Sequence, residues 1–391
     1  MRGSEASPGT TSAKPRFVVL DALRGVAAVV VVILHYNMVV WPDHWRERYL
    51  GHSGGYLAVD FFIILSGFVL AHAYFDRKSF DLWDFFKRRM FRFWPLHMVT
   101  LCVVTLLMWR SQEWMTWQGF AINVTLLHNI GIGNYGLKFN VPSWSLSVEL
   151  AVNMVVGALI LAAPERRLNT LIMSALVVFG GAVVLLGHHN LNANEGNVLG
   201  VLNLGVMRGL MDFPIGVLTY RVFTTRKDQL TRLTSARPLL IGALLLLFLS
   251  SFYIPAMHAR DFLWLPVYAL IVLLMAQPSP VWTQRLAWLR PLGDISFSLY
   301  LVHFGVEKAV AMIHPAWMTY MSGLVMTLSV SLVIAWVAHT YFETPVYNRL
   351  VERWCRNASN RRLPDMIVAA LRRNSRRLAL FKPARAFDKE D

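Results

Sequence analysis

The chain has 391 residues, 55% of them hydrophobic, a mean hydropathy of +0.45 and a formal charge of +15. Apolar runs of about 20 residues, the length that crosses a bilayer, recur from end to end, which excludes an ordinary soluble domain and points to a multi-pass membrane protein. In that setting the positive charge belongs to cytosolic loops and not to a nucleic-acid surface, and two cysteines, Cys102 and Cys355, outside any CxxC or metal spacing, exclude a disulfide framework.

Residues 1–16 (MRGSEASPGTTSAKPR) are rich in Ser, Gly and Pro and read as a disordered cytosolic tail. Ten candidate spans follow, at roughly 17–40, 55–75, 92–110, 142–163, 169–187, 198–220, 238–255, 262–277, 292–313 and 319–341. The first is too long for a signal-peptide core and lacks a cleavage site, so it is expected to remain as a helix. A shorter, more polar stretch at 119–132 (GFAINVTLLHNIGI) reads as re-entrant or interfacial. Most of the 38 Lys and Arg fall in the two tails and in alternate loops, so both termini are expected in the cytosol. The expected fold is an all-α integral membrane bundle of about ten transmembrane helices. The membrane domain occupies 17–345, and a basic cytosolic or interfacial tail occupies 346–391. Part of that tail (LPDMIVAALRRNSRRLALF) reads as a helix lying on the anionic inner leaflet. No internal repeat is visible, which weighs against an inverted-repeat transporter.

Ionisable side chains inside apolar spans are costly, so they normally face the bundle interior. The first span holds Arg24 and His35, 11 residues apart. At about 100° per residue the two share a face, about 16 Å apart along the axis. A guanidinium suits a phosphate or carboxylate, and a neutral imidazole suits general-base work. The bland alternative is an Arg24 paired to Asp21 and a His35 satisfied in the core. The second span contributes Asp60, which could hold the His35 imidazole, and Ser66 beside Gly67. The following loop (FFKRRMFRFWP) places Arg89 and Arg92 three apart at the cytosolic edge. In VPSWSLSVELAVN, Glu149 lies one helical turn after Ser145, and Trp144 sits where an interfacial ring is expected. The ninth span puts Tyr300, His303 and Glu307 on one face. Such polar faces, spread over several spans, suggest one polar intramembrane cavity, with no metal motif.

The strings LDALRGVAAVVVVILHY, VDFFIILSGFVL, RRMFRFWPLH, WSLSVEL, GDISFSLYLVH and YFETPVY, in that order, resemble the membrane acyltransferase-3 family of O-antigen, exopolysaccharide and Nod-factor acetylases. The resemblance covers roughly residues 16–350. It implies a ten-helix membrane domain that transfers an acyl group, usually acetyl, from acyl-CoA to a sugar hydroxyl. His35 then corresponds to the catalytic histidine and Arg24 to its motif partner. Arg89 and Arg92 correspond to the arginine pair that meets the CoA phosphates, with Ser145, Glu149, Asp60 and Ser66 in the family's remaining elements. Leu150 stands where many relatives have a second acidic residue. No hydrolase-type domain follows the last span in this sequence, so the expectation is an enzyme acting by itself or with a separate partner.

The reading is therefore an integral-membrane O-acyltransferase, expected in a bacterial inner membrane. Its expected ligands are acyl-CoA, acetyl-CoA by default, a saccharide or glycoconjugate acceptor and membrane lipid, without metal or nucleic acid. His35 either deprotonates the acceptor hydroxyl or carries the acyl group, with Asp60 or Glu149 holding its ring. Arg24, Arg89 and Arg92 bind the donor, and Ser66, Trp144, Ser145, Tyr300 and His303 support the site. Trp41, Trp45, Trp114 and Trp117 in the opposite loops suit the membrane interface better than sugar stacking. The rival is a transporter or flippase for a polar or lipid-linked solute, using the same charges as its path.

Overall fold

The computed structural model describes residues 17–41, 54–75, 81–109, 115–132, 136–194, 196–198, 202–236, 238–253, 258–277, 285–315 and 317–358. The N-tail 1–16, the tail segment 363–381, Trp45 and Trp114 lie outside the described residues.

Helices dominate. They are α1 (Val18–Val39), α2 (Ala58–Tyr74), α3 (Leu82–Met108), α4 (Trp117–Val124), α5 (Trp144–Ala162), α6 (Arg166–His188) and α7 (Leu204–Thr225). There follow α8 (Lys227–Ala236), α9 (Pro238–Ser250), α10 (Trp264–Met275), α11 (Arg290–Ile313), α12 (Tyr320–Val337) and α13 (Thr344–Ala358). Among the described residues the only strands are the two-residue pair β1 (Asn197–Val198) and β2 (Leu202–Asn203), antiparallel with Asn197 opposite Asn203. Among the described residues seven helical segments are long and apolar enough to cross a membrane: Val18–Val39, Gly54–Tyr74, Leu82–Met108, Val141–Ala162, Arg166–His188, Ala287–Ile313 and Tyr320–Cys355. This is a multi-pass membrane protein. The other three nominated spans are helical as α7, α9 and α10. Of these, α7 buries Arg208 and Asp212, and α9 and α10 have only 13 and 12 residues.

Two boundaries depart from the sequence reading. Helix α3 begins at Leu82, ten residues before the expected span, so Arg89 and Arg92 stand on a helix and not in a loop. Asp81 starts it by accepting the Trp83 and Asp84 amides at 2.7 and 3.1 Å, the usual device for satisfying orphan N–H groups at a helix start. Its first turns alternate basic and aromatic residues, which conceals them from a hydropathy window. After α12 the helix widens into a π-helical segment, Ala338–Glu343, then continues as α13, which returns to the start of α3. There Trp354 Nε1 donates to Asp84 at 3.0 Å, and the Lys87 ammonium lies 3.1 Å from the Trp354 ring centre.

Close approaches at glycine set the helix pairs. A Cβ on Gly25 would lie 2.7 Å from the Gly293 nitrogen, so α1 and α11 touch backbone to backbone. Likewise a Cβ on Gly67 would run into the Phe213 carbonyl, and one on Gly216 into that of Ile64, locking α2 to α7. Both pairs run parallel: Arg24 meets Gly293 and Ser296 while His35 meets His303, and Asp60 meets Arg208 while Gly67 meets Phe213. Helix α11 is the spine, with an almost unbroken buried run from Ser298 to Glu307.

Residues 117–132 and 136–143 reach into the bundle along α3. Trp117 touches Trp109 near the end of α3. Midway down α3, Trp94 donates to the Val124 carbonyl at 2.9 Å, and His97 Nε2 lies 2.8 Å from the Asn123 carbonyl. Asn140 then donates to Thr100 and to the Leu301 carbonyl, at 3.0 and 3.1 Å. Helix α5 therefore begins inside the bundle, beside the middle of α11.

Candidate active site

His35 faces α11. Its Nδ1 lies 3.0 Å from the Val31 carbonyl oxygen. A carbonyl has no proton to give, so Nδ1 carries the hydrogen and Nε2 keeps its lone pair. The ring stands edge-on to His303, with centres 5.1 Å apart. His303 repeats the pattern one helix over: Nδ1 is 3.1 Å from the Leu299 carbonyl, and the fully buried Nε2 has no hydrogen-bond partner. One turn further, Glu307 is fully buried with neither carboxylate oxygen hydrogen-bonded. One turn back, the Tyr300 hydroxyl shares a 2.7 Å hydrogen bond with Ser145 and reaches the Pro142 carbonyl at 2.9 Å. The expected face Tyr300–His303–Glu307 is thus formed, and it brings Ser145 and His35 to it.

Three guanidiniums line the other half of the site. Arg24 donates to Ser296 Oγ and to the Gly293 carbonyl, both at 2.8 Å, and lies 3.5 Å from Asp21. Arg89 lies 3.6 Å from Glu149 Oε1, which also accepts from Ser66 at 2.6 Å. Arg92 pairs with Glu343, whose other oxygen accepts from Ser298 at 2.5 Å and lies 3.1 Å from His339 Nδ1. The π-helical segment carries both His339 and Glu343; its wider turn sets the angle at which the carboxylate enters the bundle. Each of the three arginines keeps between a fifth and a third of its side chain exposed, so each holds a carboxylate while still presenting N–H groups to an incoming anion.

Two expected positions are corrected. Asp60 does not hold His35. Both its oxygens accept from Arg208, at 2.8 and 2.7 Å, and the pair is fully buried. Arg208 is satisfied further by the Tyr56 carbonyl and Asn194, so it absorbs the carboxylate that the sequence offered to the histidine. Trp144 is not an interfacial ring: it is 4% exposed, and the Arg208 guanidinium lies 5.6 Å from its ring centre. Ser145 and Glu149, expected on one face, diverge to Tyr300 and to Ser66 with Arg89. Of the loop tryptophans, Trp41 packs on His314 and Tyr320, and Trp117 is largely exposed.

Sequence reasoning missed Glu343, His339, Ser296, Ser298 and the role of Arg208. The signal for Arg208 was present, because an arginine inside an apolar span demands a buried partner. Glu343 lay within YFETPVY, just past the last expected span. A second polar layer backs the site: His97 and His128 stack with centres 5.8 Å apart, and His128 Nε2 shares a 3.2 Å hydrogen bond with Ser143. Among the described residues no three His, Cys, Asp or Glu side chains converge as a metal would require.

A family model described as an acyltransferase domain matches residues 17–338. BcsY of Komagataeibacter xylinus, which carries the name membrane-bound transacylase, is 26% identical over 332 residues, 79% of each chain. MdmB of Streptomyces mycarofaciens, named an acyltransferase, is 31% identical over 169 residues, 39% of this chain and 43% of its own. OatA of Staphylococcus aureus, named an O-acetyltransferase, is 22% identical over 365 residues, 85% of this chain and 57% of its own. The matched stretches thus cover about half the length of MdmB and of OatA. No solved structure matches.

Proposed function

We propose that this chain, which belongs to the acyltransferase-3 family and is a membrane acyltransferase, moves an acyl group from acyl-CoA to a hydroxyl of a saccharide or glycoconjugate. The observation that carries the reading is His35, with Nδ1 tied to Val31 and the Nε2 lone pair beside His303. Two relatives named as O-acetyltransferases, OatA and one named for peptidoglycan, support a hydroxyl acceptor and acetyl as the default group. The transporter reading gives way, because the family is one of acyltransferases.

In this reading the CoA phosphates rest on Arg24, Arg89 and Arg92, through charge-assisted hydrogen bonds. The pantetheine arm runs along α11, from Ser296 towards His303, about 10 Å at helical rise. His35 Nε2 takes the proton of the acceptor hydroxyl. The oxygen attacks the thioester carbonyl, the carbon–sulfur bond breaks, and the thiolate leaves and is protonated as CoA. His303 Nε2 and the Ser145–Tyr300 hydroxyls are the polar groups placed to meet the tetrahedral oxygen or the incoming sugar. Ten crossings, with both termini in the cytosol of a bacterial inner membrane, put the arginines on the acyl-CoA side and His35 deeper.

The test is the His35→Ala protein, purified in detergent, given acyl-CoA and envelope saccharide, and followed by thiol release and by acyl mass gain. A general base contributes about 100-fold or more, so transfer is expected to fall at least that far. A folded variant with the wild-type rate overturns the assignment.

A further inference from the structure

Where α2, α5, α6 and α7 meet, at the bundle end that holds the α1 N-terminus, lies a half-open cavity of about 380 Å³. Arg166 and Arg221 both line it. Arg221 donates to the Arg166 carbonyl at 2.7 Å and bonds to Thr170 and Asn169 side chains, so its guanidinium rests on neutral acceptors, beside the exposed Arg166. Among the described residues neither arginine has a carboxylate partner, Glu165 included. Two buried donors there are also unused: Arg221 Nε, and the amide nitrogen of Asn169, a residue only 2% exposed. The first turn of the 23-residue α6 adds its unpaired N–H groups at Arg166. Paired positive charge, spare donors and a helix N-terminus together call for an anion with several acceptor oxygens.

The remaining wall decides which anion. Leu70, Ile160 and Leu161 line the same cavity, and Leu161 is 38% exposed on the bundle exterior. A free phosphate has no use for that wall, whereas a phospholipid presents a phosphate and an acyl chain together, and the exposed Leu161 lets that chain run out along the bundle surface. The geometry points to a binding site for an anionic phospholipid of the inner leaflet, its phosphate on Arg166, Arg221 and Asn169 and its chain along α5. Basic pockets between helices on the cytoplasmic side suit such head groups. The site touches none of the side chains assigned to acyl transfer, so it stands apart from that reading.

Native mass spectrometry of the full chain, released from bilayers of equal phosphatidylglycerol and phosphatidylcholine, tests it. Phosphatidylglycerol is expected to stay bound in preference. That excess is expected to fall about tenfold or more in Arg166→Gln/Arg221→Gln and clearly in Arg166→Gln, and to persist in Arg226→Gln, an exposed arginine outside the cavity. If the double variant fails to fold, Arg166→Gln, at an exposed position, decides. Equal retention of the two lipids overturns the site, as does an Arg226→Gln loss matching that of Arg166→Gln. Inorganic phosphate raising the melting temperature of lipid-free protein as much as phosphatidylglycerol does overturns the choice of a lipid.

Discussion

At the scale of residues, Asp60 and Arg208 show how a buried charge is committed before any chemistry begins. The pair is wholly shut from solvent, and Asp212, also fully buried, carries a second carboxylate beside it with no hydrogen bond. Removing Asp60 takes away both charged hydrogen bonds of Arg208 and leaves it only the Asp212 carboxylate, which makes none, and removing Arg208 strands two carboxylates. Asp60→Asn is therefore expected to lower stability by about 3 to 5 kcal/mol, and replacing both, as Asp60→Leu/Arg208→Met, to cost less than Asp60→Asn alone. Thermal unfolding in detergent measures both. If Asp60→Asn melts like the wild type yet transfers no acyl group, Asp60 acts in the chemistry. The same scale shows why His35 was legible and its partner was not. A histidine in an apolar run announces itself, but the group that fixes its tautomer is the Val31 backbone, which every residue type possesses.

At the scale of elements, the α1–α11 seam aligns the site. Gly25 and Gly293 let two backbones touch at the level of Arg24, and that contact sets how His35 meets His303 eleven residues later. In Gly25→Ala the new methyl would sit 2.7 Å from the Gly293 nitrogen. Helix α1 must then move outward by a good fraction of an ångström. Misplacement of that order costs about 100-fold in rate, so the acyl-transfer rate of this variant is expected to fall that far while the protein still folds. A wild-type rate would show that the seam does not position the histidines. The periodicity of α11 was visible in the sequence, and so was its polar face. The early start of α3 and the π-helical turn before α13 were not. Amphipathic first turns look like loop to a hydropathy window, and a π turn leaves no mark in composition.

At the scale of the whole molecule, parallel pairing of α1 with α11 and of α2 with α7 requires an odd number of crossings between the members of each pair. Ten crossings satisfy both requirements. Reporter fusions at the two termini are expected to register the cytosol, and insertions near residues 190 and 315 the opposite side. A terminus reporting outside would overturn this topology, and with it the placing of the three arginines on the acyl-CoA side. The short α9 and α10 leave the count open to such a test, because 13 and 12 residues span the hydrocarbon only with their flanks.

The sequence by itself determined the membrane class, the family strings, the position of ten of the thirteen described helices and the presence of His35, Arg24, Arg89, Arg92 and Glu149. These are local properties: a hydrophobic run or a periodicity is complete within about 20 residues. Only the tertiary structure decided the pairings. Asp60 meets Arg208 across 148 residues, Arg92 meets Glu343, Ser145 meets Tyr300 across 155, and His35 meets His303. A charge in an apolar bundle is stabilised by an opposite charge or a dipole, and several were on offer. Which one it took depended on backbone contacts at Gly25, Gly67, Gly216 and Gly293, and a single helix carries no record of those contacts.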